Sequence, residues 1–265
     1  MKRRQFLTNS VAAAAVASIP ASAAAQSETA GAREYYELRR YHLQSGAGQK
    51  LTDQYVAEAL IPALNRLGIS PVGAFNLYLG PETPALYLLL PSPSLDKLAT
   101  SELLLSKDDE YMKAGSAFLK APAEKPPFLR VESSLMIAFE GFPKLVVPPA
   151  TAQHASRVFQ LRTYESPTPH DHRVKIDMFH HGEFDYFKEA GFWNVFFGDT
   201  LIGAHMPNLT YMISFPNLSE LNAKWEAFNN VPGWKKLRSS PTYSFEPIVS
   251  NISNLILNPA SYSQI

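Results

Sequence analysis

The chain has 265 residues, 46% of them hydrophobic, with 16 Phe and 12 Tyr, enough apolar material for a substantial core. Acidic and basic residues balance at 24 each, which removes the electrostatic case for nucleic acid or an anionic membrane as partner. There are no cysteines, so disulfides, thiolate metal sites and thiol chemistry are excluded.

The first 25 residues read as a leader. Lys2-Arg3-Arg4-Gln5-Phe6-Leu7 is a twin-arginine pattern running into an alanine-rich apolar stretch from Val11 to Ile19. Ala21-Ser22-Ala23 and Ala23-Ala24-Ala25 both satisfy the small-x-small cleavage pattern. A membrane anchor needs roughly 20 strongly apolar residues, and this stretch is shorter and weaker. The expectation is a twin-arginine signal over 1–25, export to the periplasm or beyond, and no stable membrane span after cleavage.

A strand is predicted over 34–42, where Tyr, Leu and Arg alternate. Leu51, Tyr55, Val56, Ala59, Leu60, Leu64 and Leu67 fall at helical spacing over 48–67. Pro62 should kink that helix, since it has no N–H to bond back one turn, and Gly68 should end it. Strands over 72–79 and 85–90 follow, joined by the turn Gly80-Pro81-Glu82-Thr83-Pro84. A second, broken helical region spans 94–119, and a last strand 128–139. That order, βαββαβ, is the ferredoxin-like unit.

The order then repeats. Glu37-Leu38-Arg39-Arg40-Tyr41 returns as Gln160-Leu161-Arg162-Thr163-Tyr164, and Ser94-Leu95-Asp96-Lys97-Leu98 as Asn217-Leu218-Ser219-Glu220-Leu221. Strands are predicted near 157–164, 192–198, 209–215 and 246–257. Helices are predicted near 171–189 and 218–230, with a short helical piece at Trp234. The spacing of the copies is that of domains rather than of solenoid repeats. The organisation is therefore a first unit at 34–140, a Pro-rich linker at 141–156 and a second unit at 157–265. A ferredoxin-like unit covers one sheet face with its helices and leaves the other bare, and a bare apolar face seeks a partner. The expected fold class is α+β, with the two tandem units closing into one barrel as a homodimer otherwise would.

Several blocks resemble the NIPSNAP family of the dimeric α+β barrel superfamily. They are Phe159-Gln160-Leu161-Arg162-Thr163-Tyr164-Glu165, Val195-Phe196-Phe197-Gly198, Met206-Pro207-Asn208-Leu209-Thr210-Tyr211-Met212 and Trp225-Glu226-Ala227-Phe228. Pro232-Gly233-Trp234 and the closing Pro259-Ala260-Ser261-Tyr262-Ser263-Gln264-Ile265 extend the likeness to a bacterial, signal-bearing branch. The resemblance implies the barrel fold and supports Gly182-Glu183 as a typical pair, but names no reaction.

Alternation places Tyr36, Leu38 and Arg40 on one face of the first strand and Glu37, Arg39 and Tyr41 on the other. Phe159, Leu161 and Thr163 oppose Gln160, Arg162 and Tyr164 in the second copy. With the apolar sets facing the helices, Arg39, Tyr41, Arg162 and Tyr164 would enter the barrel interior. There they would form either an Arg–Glu–Tyr network locking the sheets or a site for an oxyanion. His180 and Glu183, three apart on the predicted helix, are the candidate catalytic pair, an acid on an apolar face having a raised pKa. Gly182 breaking the helix there would undo that pairing. His170-x-His172 precedes the helix and lacks a third ligand, so no metal is expected. Trp193, Trp225, Phe228 and Trp234 read as core. No cofactor fingerprint is present. The expectation is a small, anionic ligand held in the barrel. The alternatives are a protein–protein interaction module and a cofactor-free isomerase or monooxygenase-like enzyme. Self-association stays open.

Overall fold

A computed structural model describes residues 32–265, and the expected leader lies outside them. Eight strands form a closed, wholly antiparallel barrel: β1 (Tyr35–His42), β2 (Gly73–Leu77), β3 (Ala85–Ser92), β4 (Arg130–Ala138), β5 (Val158–Glu165), β6 (Trp193–Ile202), β7 (Asn208–Phe215) and β8 (Asn251–Pro259). Around the barrel the order is β1-β3-β2-β8-β5-β7-β6-β4. Each half contributes four adjacent strands in the same order, last-first-third-second, which is that of the ferredoxin-like unit. The halves meet at two seams, β2 with β8 from Phe75↔Pro259 to Leu77↔Leu257, and β4 with β6 from Leu135↔Ile202 to Ala138↔Gly198. Closure leaves no unpaired edge.

The helices cover the outside. In the first half, 47–66 is a single helix widened by a π-type turn at Val56–Leu60, just before Pro62. The wider turn is where the helix accommodates the missing proline N–H. The region 95–119 breaks into four short helices. In the second half, 169–189 is again interrupted, at Phe179–Glu183, and Leu218–Asn230 and Pro232–Arg238 follow. A short helix at Phe245–Ile248 delays the last strand to residue 251, where the sequence had suggested 246. Among the described residues no helix is long and apolar enough to cross a membrane.

One expectation is inverted. Tyr36, Phe159 and Leu161 face the barrel interior, packed with Phe75, Leu89, Met136, Phe196, Met212 and Leu257. Tyr41 instead joins the helix-covered core of the first half with Tyr55, Leu60 and Leu64, and Tyr164 that of the second with Phe179, Phe187 and Trp234. Arg39, Tyr41, Arg162 and Tyr164 therefore lie beneath the helices, outside the barrel. Both faces of these strands are buried, so the more apolar face is claimed by the interior shared by all eight strands. The long polar side chains go where helix ends and loops can answer them.

Candidate functional site

The two copies of the repeated strand treat their arginine differently. Arg39 Nε and Nη2 donate to the two oxygens of Glu37 at 2.8 and 3.1 Å, and its Nη1 donates to Glu102 at 2.5 Å. Ser133 adds a donor to Glu37 Oε1 at 2.8 Å. Arg39 and Glu37 are both buried, and this fork is complete without a ligand.

In β5 the residue matching Glu37 is Gln160, which brings no charge. Gln160 accepts from Trp225 Nε1 at 2.6 Å and donates to Asn254 at 2.8 Å. Arg162 is left with the Tyr164 hydroxyl, to which Nη2 donates at 3.1 Å, and with the face of Trp225, 4.6 Å from the guanidinium carbon. Its Nε is buried without a partner among the described residues. Tyr164 continues to Tyr211, hydroxyl to hydroxyl at 3.0 Å. A cavity of about 540 Å³ opens beside Arg162, between the outer face of β5 and β8 and the helices Leu218–Asn230 and Pro232–Arg238. Buried Tyr164, Glu183, Phe228 and Trp234 form its inner end, and exposed Asn222, Asn229, Arg238 and Asn254 its rim.

The cavity wall is built by simple local rules. Asn217 caps the helix Leu218–Asn230, accepting from Glu220 N at 2.9 Å. Leu221, Trp225 and Phe228 then recur at helical spacing and all line the cavity. Pro232 opens the next helix, whose Trp234 packs 4.5 Å from Phe228, ring centre to ring centre. The indole N–H of Trp234 is buried and makes no hydrogen bond among the described residues. Trp225 and Trp234 are thus core residues that also wall a cavity. Trp193, expected in the core, is 38% exposed.

Glu183 reaches the cavity by a break in its helix. His181 and Gly182 leave helical geometry, Gly182 with φ +134°, a region that favours glycine. The turn sends Glu183 inward and leaves His180 outside, so the two expected partners do not meet. His180 is exposed and both of its ring nitrogens are engaged, Nδ1 with the Ile176 carbonyl at 2.9 Å and Nε2 accepting from Gly141 N–H at 3.0 Å. Glu183 instead pairs with Lys175, Nζ to Oε2 at 2.5 Å, and both are essentially inaccessible to solvent. The Lys175 ammonium also lies 4.4 Å from the centre of the Phe179 ring and 5.2 Å from that of Tyr164. Burial pushes the Glu183 carboxyl up and the Lys175 ammonium down, each partly offset by the other's charge. Sequence reading missed Lys175 because a lysine is usually solvated. Its spacing from buried Met178 and Phe179, three and four residues on, is the signal that marks it as inward-facing.

His170 and His172 lie within the first helical turn rather than before it. Thr168 caps that turn by accepting from Asp171 N at 3.1 Å. His172 is buried against Asp199 at 2.7 Å, and Arg173 completes the cluster with a 2.6 Å bond to the same carboxylate. Among the described residues no group of three or more His, Asp or Glu is placed to hold a metal ion. Burial alone would raise the Asp199 carboxyl, but the hydrogen bond to His172 and the Arg173 charge outweigh it and hold it below the usual range. A depressed carboxylate contributes stability that is present above its unfolded value of about 3.9 and is lost as pH falls through the lower folded value. Asp199→Asn should therefore destabilise the protein at neutral pH and flatten the loss of stability below about pH 4. Urea melts at a series of pH values measure this, and an unchanged acid limb would reject it.

The NIPSNAP family model matches residues 159–264, which include β5 from its second residue, the helices over the cavity and β8. A search of curated proteins gives no match. Among solved structures, a candidate monooxygenase from Fusobacterium nucleatum is similar over 86% of this chain and 93% of its own, with TM-score 0.55 and 8% identity. One from Lactobacillus acidophilus is similar over 86% and 94%, also with TM-score 0.55 and 8% identity. An uncharacterised NIPSNAP-like domain protein from Burkholderia xenovorans shares 17% identity over 42% of this chain and 90% of its own, with TM-score 0.38. The two monooxygenase candidates share the barrel architecture, and at that identity they speak to fold alone.

Proposed function

From a second half that matches the NIPSNAP model, we propose that this chain binds a small carboxylate bearing a planar group, in the cavity beneath Leu218–Asn230 and Pro232–Arg238. The observation that carries the reading is Arg162. A guanidinium is always charged, and this one is fixed by Tyr164 and Trp225 with Nε buried and unpartnered. The acid that shares its cavity, Glu183, is already committed to Lys175. Arg162 as a whole is half-buried, but a cation with a buried, unpartnered N–H and no anion beside it is costly unless a ligand supplies one. Trp225, Phe228 and Trp234 offer flat apolar walls for the rest of such a molecule, and the rim asparagines offer hydrogen bonds.

The first copy makes the contrast. Arg39, with Glu37 and Glu102 in hand, has no need of a ligand and serves the structure. The experiment is a thermal-shift series with benzoate, phenylacetate and indole-3-acetate, each beside its neutral amide. The acids should raise the melting temperature and quench tryptophan fluorescence, and the amides should do neither. Equal shifts from acids and amides, or none from either, would overturn the reading.

A further inference from the structure

The geometry points to Glu183 as a general base that moves a proton on the molecule held at Arg162, the substrate being an enolisable carbonyl acid such as a 2-oxo acid with a planar side group. This rests on the carboxylate site proposed above and adds a reaction to it.

Three observations converge on one cavity. Buried Glu183 lines it together with Tyr164 and Arg162. Its Oε2 is held by Lys175 at 2.5 Å, while Oε1 makes no hydrogen bond among the described residues. The ion pair therefore fixes the carboxylate and leaves one oxygen free for a ligand. The third observation is the Trp234 indole N–H, buried and unpartnered among the described residues, on a ring that lines the same cavity. An unpaired donor in the same cavity as a base is what a developing enolate oxygen requires.

A regular helix would not supply this arrangement. The break at Gly182 turns Glu183 under the helices, and the positive φ there is held by a residue without a side chain. A lysine fully out of solvent is unusual for packing alone, because hydrophobic residues of similar volume generally stabilise as well or better. Burial raises the Glu183 carboxyl, against the charge and hydrogen bond of Lys175, and so makes it a stronger base than a solvated carboxylate.

The step balances without any oxidant or cofactor. Glu183 Oε1 takes the proton from the carbon next to the carbonyl, and the C–H electron pair becomes the C=C bond of an enolate. The carbonyl π pair moves to oxygen, where the Trp234 N–H and the Arg162 charge meet it. The proton then returns from Glu183 to that oxygen, giving the enol, or to the carbon from solvent-exchanged Glu183, giving a labelled keto acid. Nothing is oxidised or reduced.

The test uses phenylpyruvate with the full chain in deuterated buffer. Binding is followed by tryptophan fluorescence and exchange at the methylene carbon by proton NMR. The wild type should bind the probe and exchange it faster than buffer. Glu183→Gln should still bind, with exchange reduced by about 10²–10⁴-fold, the usual span for a lost general base. Glu183→Asp keeps an acid for Lys175 but withdraws it by one methylene, so it serves if the glutamine variant does not fold. It should bind with exchange reduced at least tenfold. Binding by wild type with exchange at the buffer rate, or wild-type exchange in either variant, would overturn the proposal. Failure of the wild type to bind would reject the carboxylate site itself, and the base with it.

Discussion

Arg39→Met is expected to destabilise the protein by about 3–5 kcal/mol, because it strands a buried carboxylate. Glu37 is 5% exposed, and Arg39 gives both of its oxygens a donor. Without that fork, among the described residues only Ser133 remains to answer it. Glu102, Arg39's second partner, is 58% exposed at its side chain and returns to water at little cost. The double variant Arg39→Met with Glu37→Leu should recover most of the loss, since removing both ions removes the uncompensated charge. Urea unfolding of the two single variants and the double closes the cycle. A double variant as unstable as Arg39→Met alone would mean the cost is one of packing rather than charge.

Arg162→Met, at the equivalent position of the second copy, should give the opposite result. Its removal strands no anion, because Glu183 keeps Lys175. What is lost is one bond to the Tyr164 hydroxyl and a stacking contact with Trp225. What is relieved is the burial of an unpaired Nε. These terms are similar in size, about 1–3 kcal/mol each, and should nearly cancel. The ligand-free variant should therefore melt close to the wild type. The large effect is on the ligand response. An anion present at a hundred times its dissociation constant stabilises the wild type by about 2.7 kcal/mol, and the variant should lose nearly all of it. Thermal shifts with and without phenylacetate separate the two roles. A ligand-free loss as large as that of Arg39→Met, with the phenylacetate shift intact, would assign Arg162 to structure alone.

The two arginines show how far a sequence repeat can be read into function. Arg39 and Arg162 occupy the same register position, so a common role is the natural first reading. The difference lies two residues back, where Glu37 is replaced by Gln160. Residues two apart share a strand face, so that single change was visible as a charge missing beside Arg162. What surrounds Arg162 was not visible. Trp225, Trp234 and Glu183 come from three separate helical segments, and only their packing on β5 and β8 makes a cavity of them.

Local patterns by themselves determined the element order, the two-fold repetition and the barrel. Periodicity, caps and turn residues act over a few positions, and a bare sheet face allows few solutions. Tertiary structure alone decided which strand face turned inward. Alternation separates two faces but names the buried one only when the other meets water, and here both are covered. It also decided the partner of Glu183. The helical wheel gave His180, but the backbone break at Gly182 rotated the carboxylate away from it and onto Lys175, eight residues back. A wheel carries phase only through unbroken turns, and one glycine at positive φ resets it.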